Sequence, residues 1–392
     1  MVASISPKPV GLLSCQQQPF LKTLDTHVVS CSDGPNADGL YEVELEDTVI
    51  FPEGGGQPAD MGSISGIAVR FAKRDGLRAI HYTESPVATG AAVQVSVDFA
   101  RRLDHMQQHS GQHLLSAVLE REHGLDTVSW SMGDRSSHVE LKTTKDFVLS
   151  QSAIDAVEER CNQIIMEQIV VNVRVFEQGA GDCPSSVPED YVGGVIRYVD
   201  IGKDGEFDSN ACCGTHITNT SQLQVVKLGA TDRIRGGNTR LFFYVGGRVR
   251  QYAHESLARD KKLTELLSCG PETHGEAVDR LLKQSKQANK SLRNLRRQLA
   301  PLVAADLAQQ LNGSDKDGLR TLVYHSEDGD GQFANGVVSE LVKRVKDGSS
   351  EEAVAQAIDQ LGSLLGQCKG GAKRGVWQGK AASFNKLSKF AM

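Results

Sequence analysis

Near Arg101 the hydrophobic pattern of this chain changes its period, and that change excludes any fold built from one kind of element throughout. Upstream, from about Thr23 to Phe99, the runs VVSCSDG, YEVELEDTVIF, IAVRFAKRDG, AIHYT and AAVQVSVDF are separated by clusters of Gly, Asp, Pro and Asn. Short β-rich runs punctuated by turn residues predict a barrel or a sandwich, so residues 1–100 are expected to form a small N-terminal β-barrel domain. From Arg101 onward, DHMQQHSGQHLLSAVLEREHG places apolar side chains at Met106, Leu114, Leu115, Val118 and Leu119, with Gly124 as a C-terminal stop. That spacing predicts a helix.

The alternation continues downstream. TVSWSMG and SHVELKT read as a hairpin, AIDAVEERCNQIIMEQ as an amphipathic helix, and VVNVRVFE, VIRYVDI, LQVVKLGATDRI and TRLFFYVGG as strands. Helices packed on an antiparallel or mixed sheet make residues 101–250 an α+β domain. Residues 251–311 are poor in strand formers and carry Leu281, Leu282, Leu292, Leu295, Leu299 and Leu302, which predicts a long helix, a helical hairpin or a coiled coil. A strand (TLVYHSE) and two helices then make 312–392 a small α/β C-terminal domain, ending in a tail from Cys368 with six lysines and arginines and no acid. The expected class is α+β, and 392 residues suffice for two or three cores.

Eight cysteines scattered through 392 residues do not form a disulfide framework, so reduced thiols in the cytosol are expected. The N-terminus has no signal-peptide stretch, and no window of membrane-span length is apolar, which predicts a cytoplasmic protein without a membrane partner. A net charge of -6 confines any nucleic-acid contact to local basic patches.

His105, His109 and His113 recur every four residues on the predicted helix, so neighbouring imidazoles share a face. Cys212 and His216 repeat that spacing 99 residues beyond His113, in CCGTH, where Gly214 permits a tight turn. His109, His113, Cys212 and His216 match a tetrahedral Zn2+ site of His3Cys type, one per chain. Three readings stay open on residues alone. The ion can be catalytic, it can be structural, or Cys213 can act as a thiol nucleophile beside a histidine base. HExxH is absent, which argues against a zinc protease with a helix-borne glutamate.

HSGQHLL followed far downstream by CCGTH resembles the HxxxH and CxxxH signature of the editing domain of alanyl-tRNA synthetase and of its free-standing relatives, the AlaX-type alanyl-tRNA editing proteins. VIFPEGGGQPADMG, residues 49–62, is similar to a second hallmark of that family, and RIRGGNTRLFFYVGGRV, residues 233–249, to the strand pair that closes the editing domain. The full length is similar to the large free-standing form. Where the family commonly has CGGTH, Cys213 replaces the first glycine, and alignment makes Cys212 the ligand. His105 lies one turn before the aligned pair and reads as a second-shell or surface residue.

The resemblance implies a trans-editing hydrolase without charging activity. It would deacylate alanine tRNA mischarged with serine, or with glycine, through a zinc-bound water positioned by His109, His113, Cys212 and His216. Zinc can instead polarise the carbonyl or orient the substrate. Thr127 and Ser129 are candidate partners for the serine hydroxyl, whose bonds alanine leaves unmade. Gly54, Gly55, Gly56 and Gln57 are candidates for the CCA end of the tRNA. Arg233, Arg235 and Arg240 beside a Gly-Gly turn, and Lys373, Arg374 and Lys380 in the tail, are candidates for its phosphates, with Trp377 able to stack on a base. The basic residues of the long helix read first as a solvated face. Monomer and homodimer through the helical region both fit. The rival class is a non-catalytic tRNA- or partner-binding protein with a structural zinc.

Overall fold

In the computed structural model of this protein, the described residues are 6–177, 195–234, 236–312, 324, 326, 329–344, 368–373 and 376–381. The chain divides into two compact units, Met1–Arg259 and Asp260–Met392.

Unit 1 begins with a one-turn helix α1 (Ser14–Gln17) and six strands: β1 (Thr23–Cys31), β2 (Tyr41–Leu45), β3 (Gly62–Ile64), β4 (Ile67–Asp75), β5 (Arg78–Thr83) and β6 (Ala92–Val97). They close into an antiparallel barrel in the order β1-β2-β5-β4-β3-β6, which leaves no open edge. Its core is small and β-branched, with Val28, Val43, Ile64, Val69 and Val95 fully buried or nearly so. YEVELEDTVIF does not continue as one strand. The Asp47 carboxylate accepts bonds from the backbone N–H groups of Ser14 (2.8 Å) and Thr48 (2.7 Å), so after Leu45 the chain turns inward as a buried connection.

The helix expected after Arg101 is α2 (Phe99–His123). The Asp98 side chain caps it by accepting from Ala100 N and Arg101 N, and Gly124 ends it in the left-handed conformation at φ 62°. Next come β7 (Thr127–Met132), β8 (Ser137–Leu141), α3 (Gln151–Met166), β9 (Val171–Glu177), β10 (Val195–Ile201), β11 (Asp208–Ala211), β12 (Val226–Arg233), β13 (Thr239–Val245) and α4 (Gly247–Leu267). One sheet runs β12-β13-β8-β7 and another β11-β10-β9. Met106, Leu114, Leu115, Val118 and Leu119 of α2 pack with Val139, Leu141, Leu241 and Phe243 in a second core.

A buried ion pair connects the barrel to α2. Arg102 and Asp60 are both fully buried; Arg102 Nε donates to Asp60 Oδ2 at 2.8 Å, and its Nη groups also reach Asp60, Val49 O and Pro19 O. Asp60 Oδ2 accepts the Phe51 N–H as well, at 2.7 Å.

In unit 2, α5 (His274–Asn312) follows a 3-10 turn at Pro271–Thr273, so the span 251–311 holds two helices. Ser268 takes a positive φ of 54°, and Pro271 has no N–H to extend a helix, which is why the chain breaks there. α6 (Gly331–Arg344) packs Phe333 and Val337 on Ala300, Ala304 and Leu307 of α5. β14 (Cys368–Lys373) and β15 (Val376–Ala381) form an antiparallel pair. The strand expected at TLVYHSE and the last helix lie largely or wholly outside the described residues. No described helix is long and apolar enough to cross a membrane.

His81 makes the barrel sensitive to acid. It is fully buried, donates from Nδ1 to Val43 O (3.1 Å) and faces Thr48 Oγ1 from Nε2 (2.9 Å), and burial pushes it down to about 4. Between pH 6.5 and 4 the unfolded chain binds a proton that the folded barrel refuses, so stability falls as pH falls through this window. The expected loss is about 3 kcal/mol at most. Denaturant titrations at pH 7 and pH 4.5 check it, because His81→Gln should flatten that part of the pH slope.

Candidate metal centre

α2 is a helix whose middle turns bury polar side chains: Gln107, Gln108, His109, Ser110, Gln112 and His113 are all less than one tenth exposed. Such groups are costly to bury without partners, so each must be paired or serve a site. Gln108 is paired structurally, since its amide closes two bonds with the Val245 backbone (3.0 and 3.1 Å). The two histidines meet the CCGTH loop, which leaves β11 directly.

There the ligand atoms of His109, His113, Cys212 and His216 lie within 4.8 Å of one another. Cys212 Sγ is 3.3 Å from His109 Nε2 and 3.2 Å from His216 Nε2. Bonds of about 2.0 Å to nitrogen and about 2.3 Å to sulfur put the corners of a tetrahedron about 3.3–3.6 Å apart, so this donor set fits a single ion of zinc size.

The other ring nitrogens are held from outside. His109 Nδ1 donates to Gln57 Oε1 at 2.9 Å, and the same oxygen accepts from Thr215 N at 3.0 Å, while Gln57 Nε2 donates to Thr215 Oγ1 at 2.8 Å. His216 Nδ1 sits 3.0 Å from Ser110 Oγ, which also accepts from Ile217 N. His113 Nδ1 faces Asp208 Oδ2 at 3.5 Å, an electrostatic contact longer than a hydrogen bond, and neither atom has another partner. These contacts orient the three imidazoles and direct Nε2 of His109 and His216 inward.

Charge follows the same arrangement. Burial alone would raise Cys212, but the His109 and His216 imidazoles outweigh it and hold the thiol well below its ordinary value. Burial pushes His216 down to about 3. Burial also lowers His113, but the Asp208 carboxylate and the Cys212 thiolate outweigh it and raise this imidazole. Thiolate and neutral imidazole are the forms that bind a metal, so Cys212 and His216 are already in the binding form, whereas His113 must give up a proton when an ion is taken up.

The sequence-predicted residues sort by position. Gln57 is fully buried and its amide is spent on His109 and Thr215, so it is a support for the ligands and is not presented to a CCA end. Gly214 is required by proximity, where the sequence suggested a turn: a Cβ there would lie 2.3 Å from His109 Cε1. Gly55, at φ 61°, lies against Cys213, whose Sγ would be 2.7 Å from an added Cβ. Burial pushes the Cys213 thiol up to about 11. His105 is buried, outside the four-residue cluster, and burial pushes it down to about 4.

A cleft of about 530 Å³ opens over the cluster, lined by His109, His113, Cys212, Gly55, Trp130 and the β7 edge with Thr127 and Ser129. Ser116 Oγ and Thr127 Oγ1 are bonded at 2.8 Å, and Gln112 Nε2 donates to Ser116 Oγ at 2.9 Å. Ser129 Oγ donates to Glu140 at 3.0 Å. Trp130 lies over His109, ring centroids 4.7 Å apart. Arg233 reaches Phe147 O and Arg240 pairs in register with Glu140. Arg235 and Arg374 lie outside the described residues, as do the side chains of Lys373, Lys380 and Trp377.

Sequence reasoning missed Asp208, Ser110, Thr215 and Arg197. The last is buried and donates to Gly214 O (2.8 Å) and Gln16 O (2.9 Å), which fixes the loop that carries Cys212. Ser110 and Thr215 adjoin ligands and could have been flagged on that ground, whereas nothing local marks Arg197.

Replacing Gln57 by leucine is expected to keep the fold and to lower metal affinity about 10–100-fold, because His109 loses the acceptor that orients it. Competition with a chelator followed by metal analysis reads this directly.

The family described as Threonyl and Alanyl tRNA synthetase second additional domain matches residues 196–242, which include Cys212 and His216. "Alanyl-tRNA editing protein Aarsd1" of Mus musculus is 37% identical over 95% of this chain and 94% of its own length. The Danio rerio protein of the same name is 35% identical over 95% and 94%. "Alanine--tRNA ligase" of Thermococcus kodakarensis is 28% identical over 75% of this chain and 32% of its own length. With identity of this order across nearly the full length of both chains, the protein belongs to the family of alanyl-tRNA editing proteins.

Proposed function

We propose that this chain is a trans-editing hydrolase that removes chiefly serine, with glycine as the second candidate, from mischarged alanine tRNA at a zinc centre held by His109, His113, Cys212 and His216. The observation that carries the reading is the convergence of those four residues, three of which, His109, His113 and Cys212, line an open cleft. A closed, thiolate-rich cage would suit a structural ion better than three imidazoles and one thiolate beside solvent. The names of the relatives support the editing of alanyl-tRNA as the setting.

When bound, zinc supplies Lewis-acid polarisation or orientation of the ester. The remaining work belongs to the protein. Gln57, Ser110 and Asp208 keep the imidazoles in place. The Gln112–Ser116–Thr127 chain offers hydroxyl groups on one cleft wall, where a serine side chain can bond and an alanine methyl leaves polar groups unpaired. Trp130 covers one side of His109 and keeps that face dry.

Single-turnover hydrolysis of seryl-, glycyl- and alanyl-tRNA, with metal content measured on the same preparation, tests the reading. Turnover of the seryl ester with the alanyl ester spared is expected. Salt-dependent tRNA binding without any turnover, alongside metal loss that unfolds unit 1, would instead identify a binding protein with a structural ion.

A further inference from the structure

The cleft over the metal centre presents acceptors and spends its amide donors elsewhere. Gln112 sits on α2 between the ligands His109 and His113 and is nine-tenths buried. Its Nε2 is committed to Ser116 Oγ at 2.9 Å, and its Oε1, with no partner among the described residues, is left for the cleft. Asn210 repeats the pattern, since its Nδ2 donates to Asp208 Oδ1 at 2.8 Å and its Oδ1 is left over. Eight residues beyond Gln112, about 12 Å along the α2 axis, Glu120 lines the same cleft together with Asp126. Neither carboxylate has a partner among the described residues, and both stand at the carbonyl end of α2, whose dipole adds to their negative potential. Arg197, the one lysine or arginine in the lining among the described residues, is turned instead to the carbonyls of Gly214 and Gln16.

We propose that Gln112 Oε1 receives the α-ammonium group of the aminoacyl ester, so that the cleft takes esters with a free amino group and spares N-acylated ones, such as peptidyl-tRNA. This rests on the editing reading above and adds the group that all its substrates share. An ammonium brings donors and positive charge only, which a wall of acceptors at the negative end of a helix pairs with. Acylation removes the charge and sets a carbonyl oxygen against those acceptors, leaving them unpaired.

The Gln112 amide then serves two substrate groups. Oε1 takes the ammonium, while Nε2 holds Ser116, and through it Thr127, for the side chain. Seryl, glycyl and alanyl esters all carry the ammonium, so Gln112 selects the class of ester and the hydroxyl chain selects within it. Glu120 and Asp126 act at longer range, steering the cation into the cleft.

Hydrolysis of seryl-tRNA and N-acetyl-seryl-tRNA by the full chain, with metal content measured on the same samples, tests the assignment. A preference for the free ester about 10–100-fold beyond the difference in uncatalysed rates is expected, the worth of one hydrogen bond to a charged group. Gln112→Met should erase that preference at unchanged metal content, whereas Gln112→Glu, which keeps an acceptor in place, should retain it. Glu120→Gln with Asp126→Asn, both at exposed positions, should lower it only about 2–4-fold, and less as salt rises. Calorimetry with a non-hydrolysable seryl amide of adenosine and its N-acetyl form should show the same preference without turnover. A preference no larger than the uncatalysed difference overturns the proposal and leaves the editing reading standing, as does a full preference in Gln112→Met. Loss of metal from Gln112→Met also overturns it, because the side chain would then serve the ligands. No turnover of either ester by the wild type overturns both readings.

Discussion

On the proposed zinc-dependent editing of seryl-tRNA, Cys212→Ala is expected to abolish metal binding and to lower single-turnover hydrolysis by roughly 10³-fold. The magnitude follows from losing several kcal/mol of Lewis-acid stabilisation at about 1.4 kcal/mol per tenfold. Cys212 is the one anionic donor of the cluster, and its Sγ lies 3.2 and 3.3 Å from two imidazole nitrogens. Alanine leaves three neutral or positively charged rings facing one another, a set with much weaker affinity for a dication. Cys213→Ser is the matched control. That thiol lies against Gly54 and Gly55 and is absent from the ligand cluster, so metal content should stay at one per chain. Elemental analysis of both variants checks the first claim, and full activity with full metal in Cys212→Ala would sink the assignment.

Arg102→Ala is expected to destabilise unit 1 by about 3–5 kcal/mol. Asp60 is fully buried, and removing Arg102 leaves its charge with one backbone donor, Phe51 N. The Pro19 and Val49 carbonyls lose their donor in the same stroke. At about 2–4 °C per kcal/mol for a unit of this size, the melting temperature should drop by roughly 10 °C. Replacing both partners, Arg102→Met with Asp60→Leu, should recover much of the loss, because the cost of the single change is mostly an unpaired buried charge. Thermal melts of the three variants decide it. A loss in the double variant equal to that of the single one would place the effect in packing instead.

These two sites also show which parts of the molecule are legible in sequence. The barrel, the helix expected from Arg101 and the four converging residues could be anticipated because they rest on local rules: alternation, helical spacing and a stop at Gly124. The span 251–311 was legible as helical, with one long helix, a hairpin and a coiled coil all open, but the place of its break was not, since that depends on one positive φ at Ser268 and on Pro271. Gln57 illustrates the opposite case. GGGQP reads as a loop offering donors to a ligand, yet its glutamine turns inward to bond His109, 52 positions away. Nothing local in the sequence marks Arg102, which is fully buried against Asp60.

By itself, then, the sequence determined that the chain is α+β, that a β barrel precedes a helix with two site histidines, and that Cys212 and His216 complete a donor set. Periodicity and spacing encode these because they act over a few residues. Only the tertiary structure decided which neighbours orient the ligands, why Gly214 must lack a side chain, and that Arg102 and Asp60 connect barrel to helix. Those outcomes depend on contacts between residues tens to nearly two hundred positions apart, where burial and the need to pair each buried polar group, rather than local propensity, select the arrangement.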